Sequence, residues 1–102
     1  MADDFARLVS LRARIDEIDR ELLALLNERT RIVEEVARVK RALTRPVYSL
    51  GRETQLFANL TAHNPGPAPA TAVRRVFEGI IAEMHTVEHR WLNESGVVKY
   101  GK

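Results

Sequence analysis

The sequence contains no cysteine, so neither a disulfide framework nor thiolate chemistry is available to it. No uninterrupted apolar run approaches the roughly 20 residues that span a bilayer, and a membrane-crossing segment is not expected. Aromatic residues supply only 6% of the chain and β-branched runs are short, which points away from sheets and toward helices. The opening Met1-Ala2-Asp3-Asp4-Phe5 is acidic and has no apolar secretory core, so a cytoplasmic protein is the expectation. An excess of one charge is missing too. The 16 Lys and Arg are interspersed with 14 Asp and Glu, leaving a net charge of +2 and no contiguous basic surface. Nucleic acid is therefore not an expected partner.

What is present is a folded-protein composition, with 45% hydrophobic and 29% charged residues in 102. One stripe runs Leu8, Leu11, Ile15, Ile18, Leu22, Leu25, Arg29, Ile32, Val36, Val39, Leu43, in unbroken steps of three and four. That is the seam of a long amphipathic helix, expected from about Asp4 to about Thr44. Arg45-Pro46 breaks it, because proline disfavours helix at the residue before it. Ser49 is the expected N-cap of a short second helix carrying Leu50, Leu56, Phe57 and Leu60 and fading near His63. Asn64-Pro65-Gly66-Pro67 is a linker. Pro69 is expected at the first position of a third helix, which carries Val73, Val76, Phe77, Ile80, Ile81, Met84, Val87 and Trp91 and ends near Asn93 to Gly96. Residues 1–95 thus read as one all-α domain and 96–102 as a tail.

Length adds a constraint. About 40 helical residues span roughly 60 Å, whereas a compact monomer of about 100 residues has a radius of gyration near 13 Å. Two shorter helices cannot cover such a seam, so an intertwined homodimer is expected.

Polar residues interrupt the apolar faces. Arg29 is the sole polar member of the seam, and a guanidinium cannot shed its charge there. Lys40, eleven residues on, projects from nearly the same face of the helix. Arg12 lies roughly 100° away, so it does not easily join Arg29 within its own chain but in a dimer could reach the partner's site. Arg52-Glu53 opens the second helix, and Glu88 rides on the apolar stripe of the third, where partial desolvation is expected. Each has a structural alternative. Arg29 can be an interhelical ion-pair partner, Lys40 a snorkelling surface residue, and Arg12 a solvated one. Arg52 and Glu53 can pair with other side chains, and Glu88 can simply answer Arg29 or Lys40. Four cations and two carboxylates at helical spacing in one small dimer favour an anion-binding site.

Residues 8–92 resemble the all-helical, AroQ class of chorismate mutases. The resemblance rests on Leu11-Arg12-x-x-Ile15-Asp16-x-Ile18-Asp19-x-x-Leu22-Leu23-x-Leu25-Leu26-x-x-Arg29, then Val36-x-x-x-Lys40, Pro46-Val47-x-x-x-x-Arg52-Glu53, and Val76-Phe77-x-x-Ile80-Ile81. It implies a domain-swapped dimer of three helices per chain that rearranges chorismate to prephenate without metal or cofactor. Arg29, Lys40 and Arg52 would hold the substrate's carboxylates and ether oxygen, with Arg12 supplied by the other chain. Glu53 would hold the ring hydroxyl and Glu88 would stand beside the ether oxygen, so that Lys40, Glu88 and Arg29 are the expected catalytic groups. Three departures accompany the resemblance. Ser49 stands where many members have Asp, Met84 where a Ser often binds a carboxylate, and Glu88 where Gln is common. A carboxylate beside an ether oxygen helps only when protonated, so Glu88 implies a pH-dependent rate.

Three other readings compete. Isochorismate-pyruvate lyases resemble the same fold and cationic pocket. A regulatory helical dimer bound to another enzyme of the aromatic pathway is a non-catalytic alternative. His85-Thr86-Val87-Glu88-His89 matches the H-x-x-E-H zinc pattern, but five residues are a permissive match and two exposed histidines are the simpler expectation.

Overall fold

The computed structural model describes residues 2–43 and 50–94. They form three helices, α1 (Ala2–Leu43), α2 (Leu50–His63) and α3 (Ala70–Glu94), with no strand among the described residues. No described helix is long and apolar enough to cross a membrane. The expected Ser49 cap, the Pro46 break and the 96–102 tail lie outside the described residues.

Helix α1 starts at Ala2, two residues before the expected Asp4. No glycine or proline precedes Pro46 to interrupt it. Asp3 and Asp4 occupy its first turn and Lys40 and Arg41 its last, both signs matching the helix dipole. Thr30, Thr61 and Thr86 each turn their hydroxyls back onto the carbonyl four residues earlier, which satisfies them inside a helix.

The link from α2 to α3 is built by Asn64. Its Oδ1 accepts from the Gly66 N–H and its Nδ2 donates to the Ala68 carbonyl, both at 2.9 Å. Gly66 has φ +79°, a left-handed conformation that a Cβ would oppose. The third helix begins one residue later than expected. The Pro69 carbonyl accepts the Val73 N–H at 3.0 Å, so Pro69 stands at the N-cap and Ala70 takes the first helical position. The Asn64–Ala68 bond engages the chain immediately before Pro69 and so holds the entry outside the helix.

The chain divides into two compact units, Met1–Ile32 and Val33–Lys102. In the first, the apolar seam of α1 lies open: Leu22 is 58% exposed and Leu25 60%. In the second, the core gathers Ala37, Ile81, Met84 and Leu92, together with one charged residue, Glu88. The α3 members recur at steps of three and four, one face of a helix. The end of α1 contributes a face other than its seam: Ala37 is fully buried, flanked by half-buried Val33 and Lys40, while Val36, Val39 and Leu43 remain exposed. Trp91 of α3 is flanked by the guanidiniums of Arg38 and Arg41, 5.4 and 5.8 Å from its ring centre. Arg74 of α3 sits 4.1 Å over the Phe57 ring of α2 and also binds Glu78. Each such cation–π contact adds about 0.5–1 kcal/mol at an exposed site.

Candidate active site

Glu88 is held on the buried face of α3 by its spacing from Ile81, Met84 and Leu92. Its side chain is only 8% exposed. Lys40, in the last turn of α1, donates from Nζ to Glu88 Oε2 at 3.2 Å and is itself 23% exposed. Of the two partners the sequence allows for Glu88, Lys40 is the one that meets it. An ion pair this far from water is a poor source of stability, because desolvating two charges costs about as much as their attraction returns. Its value is a fixed ammonium and a fixed carboxyl side by side.

Glu53 lies in the first turn of α2 and is 22% exposed. His85 of α3, 28% exposed, brings Nε2 to 3.0 Å from Glu53 Oε2. That distance suits an ion pair, yet Oε2 is buried and accepts no aligned hydrogen bond among the described residues. The two carboxylates are therefore separated by partner: Glu88 faces an ammonium, Glu53 an imidazole.

The remaining expected residues divide. Met84 is buried one turn before Glu88 on the same face of α3. It has no hydroxyl to offer a ligand. Arg52 is exposed and its Nη1 lies 3.4 Å from Gln55 Oε1, a long bond within its own helix. Within the Met1–Ile32 unit, Arg29 is half-buried and Arg12 exposed. Ser49 lies outside the described residues.

His85 is the residue that sequence reasoning misplaced. Of the two histidines expected to be exposed, His89 is, whereas His85 is partly buried against Glu53. Its three-residue spacing from Glu88 was the available signal, since i and i+3 share a helix face. Glu88 is engaged by Lys40, His85 by Glu53, and no group of three metal-ligating side chains forms among the described residues.

Comparison with known proteins meets this geometry from a separate direction. Residues 11–89 match the family described as chorismate mutase type II. The chain belongs to that family, and the resemblance noted in its sequence is borne out. It is 40% identical to a chorismate mutase of Thermus thermophilus, with a TM-score of 0.80 over 82% of this chain and 96% of that one. It is also 37% identical to the bifunctional chorismate mutase/prephenate dehydratase of Pseudomonas aeruginosa over 93 residues, covering 86% of this chain and 25% of that protein. The corresponding Neisseria gonorrhoeae protein is 36% identical over 79% of this chain and 22% of its own length. The chain thus spans about a quarter of the length of these curated relatives. The all-α fold of three helices, long, short and medium, agrees with the expectation.

Proposed function

We propose that this chain is a chorismate mutase, an isomerase that converts chorismate to prephenate in aromatic amino acid biosynthesis. The observation that carries the reading is the desolvated Lys40–Glu88 pair, with Lys40 at 23% and Glu88 at 8% exposure, in a chain of the chorismate mutase type II family.

The rearrangement is a pericyclic step within one molecule. It needs no nucleophile, so the protein's work is to hold a compact conformer of a dianion and to place positive charge where the breaking C–O bond leaves negative charge. Lys40, a compact point charge, suits the ether oxygen. Glu88, when protonated, donates to the same oxygen from the other side. Arg29 and Arg52 suit the carboxylates, which a guanidinium engages with two parallel bonds. Glu53 accepts from the ring hydroxyl. Ser49 and Met84 stand at positions that adjoin the ring hydroxyl and a carboxylate in relatives, and both are read as lining the substrate here. No cofactor or metal takes part in this scheme.

The working form in this proposal is a domain-swapped homodimer in which Arg12 comes from the other chain. What supports it is the open seam of α1, since burying one Leu or Ile gains about 1.5–3 kcal/mol that a lone chain leaves unrealised. Association with another enzyme of the aromatic pathway also belongs to the proposal, because the bifunctional relatives join a chorismate mutase to a prephenate dehydratase. A cytoplasmic location completes it.

The test is an assay of the purified chain with chorismate and, separately, isochorismate, with products identified by NMR. Prephenate from chorismate is the expected result. Salicylate and pyruvate from isochorismate alone would make the protein a lyase on the same fold. No turnover of either by a folded dimer would leave the helical dimer as a binding module.

A further inference from the structure

The carboxylate of Glu53 has one oxygen that the described residues leave unanswered. Its Oε2 is buried and, among the described residues, without a hydrogen bond, and a buried acceptor left in that state costs about 1–3 kcal/mol, more when charged. The polar group brought to it is the His85 Nε2, at 3.0 Å from the neighbouring helix. The other carboxylate on this side of α3, Glu88, is already engaged by Lys40 and does not compete for His85. His85 and Glu53 are both partly buried, so their contact is not a chance meeting of free surface side chains.

We propose that His85 is a positioning residue that holds the Glu53 carboxylate for the hydroxyl of the substrate. The inference rests on the reading of Glu53 as the group that accepts from the ring hydroxyl. A small rotation of the imidazole aligns an Nε2–H with Oε2. That bond fixes the outer torsions of Glu53, a side chain with three rotors, and leaves Oε1 as the acceptor for the substrate. Imidazole suits the task for a chemical reason. An imidazole N–H can donate to a carboxylate without the permanent charge of a lysine or arginine, which would draw a substrate carboxylate into the hydroxyl subsite.

The experiment uses purified full-length chain, with kcat and KM measured for chorismate and for an analogue that lacks the ring hydroxyl. The variants are His85→Leu, which removes the donor at similar volume, and His85→Gln, which restores a side-chain N–H. His85→Leu is expected to lower kcat/KM for chorismate about 10- to 50-fold, the worth of a misdirected hydrogen bond to a charged group. The analogue, with no hydroxyl to place, is expected to change by less than about twofold. His85→Gln is expected to recover most of the loss with chorismate. An equal fall with both substrates makes His85 a packing residue and overturns the inference. So does wild-type kcat/KM for chorismate in His85→Leu. If His85→Leu does not fold, His85→Asn, whose shorter amide stops short of Glu53, takes its place. A fall confined to chorismate, matching the pattern of Glu53→Gln, supports donation to Glu53, and a wild-type ratio of the two substrates overturns it. A wild-type chain that turns over neither chorismate nor isochorismate instead removes the proposed reaction, a failure visible before any variant is made.

Discussion

Residues 2–32 and residues 33–94 treat their apolar side chains in opposite ways. The first stretch carries a longer and more regular hydrophobic seam, yet leaves it exposed. The second has a patchier pattern, yet buries Ala37, Ile81, Met84 and Leu92 and even encloses a charge, Glu88. Periodicity therefore reports where a surface must be covered, not what covers it. In the second unit the cover is the chain's own neighbouring helices, and the residues they bury include the charged Glu88. In the first unit the seam is left open by its own chain, and in the proposed dimer a second copy with a matching surface would cover it.

Charge placed on the open seam is the strongest way to break that contrast. Leu22→Asp together with Leu25→Asp is expected to convert a dimer to monomers in sedimentation equilibrium. Losing two leucines from an interface costs about 3–6 kcal/mol before the charges are counted, a rise in Kd of more than about 100-fold. Unchanged mass and activity would show that these leucines face solvent in the working protein. The next largest effect is on the enclosed side. Lys40→Ala is expected to lower kcat/KM about 100- to 1,000-fold, the usual worth of a preorganised donor at developing negative charge. It also leaves Glu88 buried without its cation, so the melting temperature should fall as well. A variant that keeps its activity while losing stability would make the pair structural.

A third experiment joins the two regions. Arg12→Ala and Lys40→Ala chains, each inactive alone, are expected to regain up to roughly a quarter of wild-type activity when mixed and allowed to exchange. Half of the dimers are then mixed, and one of the two sites in each keeps both groups. No recovery after subunit exchange, verified by mass, would place Arg12 outside the site.

Much of this contrast was legible in the sequence, and the illegible part has a common cause. Helix number and type followed from long-range spacing, and the partial burial of Glu88 followed from its place on the α3 stripe. The identity of its partner did not follow, because Lys40 and Glu88 are 48 residues apart and only packing brings them together. The face of α1 buried in the second unit was hidden for a related reason. It is centred on Ala37, and a small residue adds little to a hydrophobic pattern while permitting the closest approach of another element. Val36 and Val39, which dominate the pattern, are exposed. His85 was masked by a stronger local signal. The zinc-like motif reads neighbours along one helix, whereas its actual partner, Glu53, sits on another. Local pattern identifies a helix face, but the chemistry on that face depends on what crosses it.

The smallest expected effect is also the sharpest test of how the enclosed unit uses its charge. Glu88→Gln exchanges one oxygen for an amide and preserves side-chain shape. At neutral pH the variant is expected to remain active, within about tenfold of wild type, because the amide donates to an ether oxygen as a protonated carboxyl does. The same exchange removes the charge that Lys40 meets. Bound to Glu88 at 3.2 Å, the Lys40 ammonium faces a carboxyl group in the wild type, whereas the amide of the variant offers it only a neutral oxygen. If the pair serves the proposed reaction, Glu88→Ala, which supplies neither donor nor acceptor, is expected to lower kcat/KM well below Glu88→Gln. Unchanged activity in both variants, with a lower melting temperature, would leave the Lys40–Glu88 pair with a purely structural part.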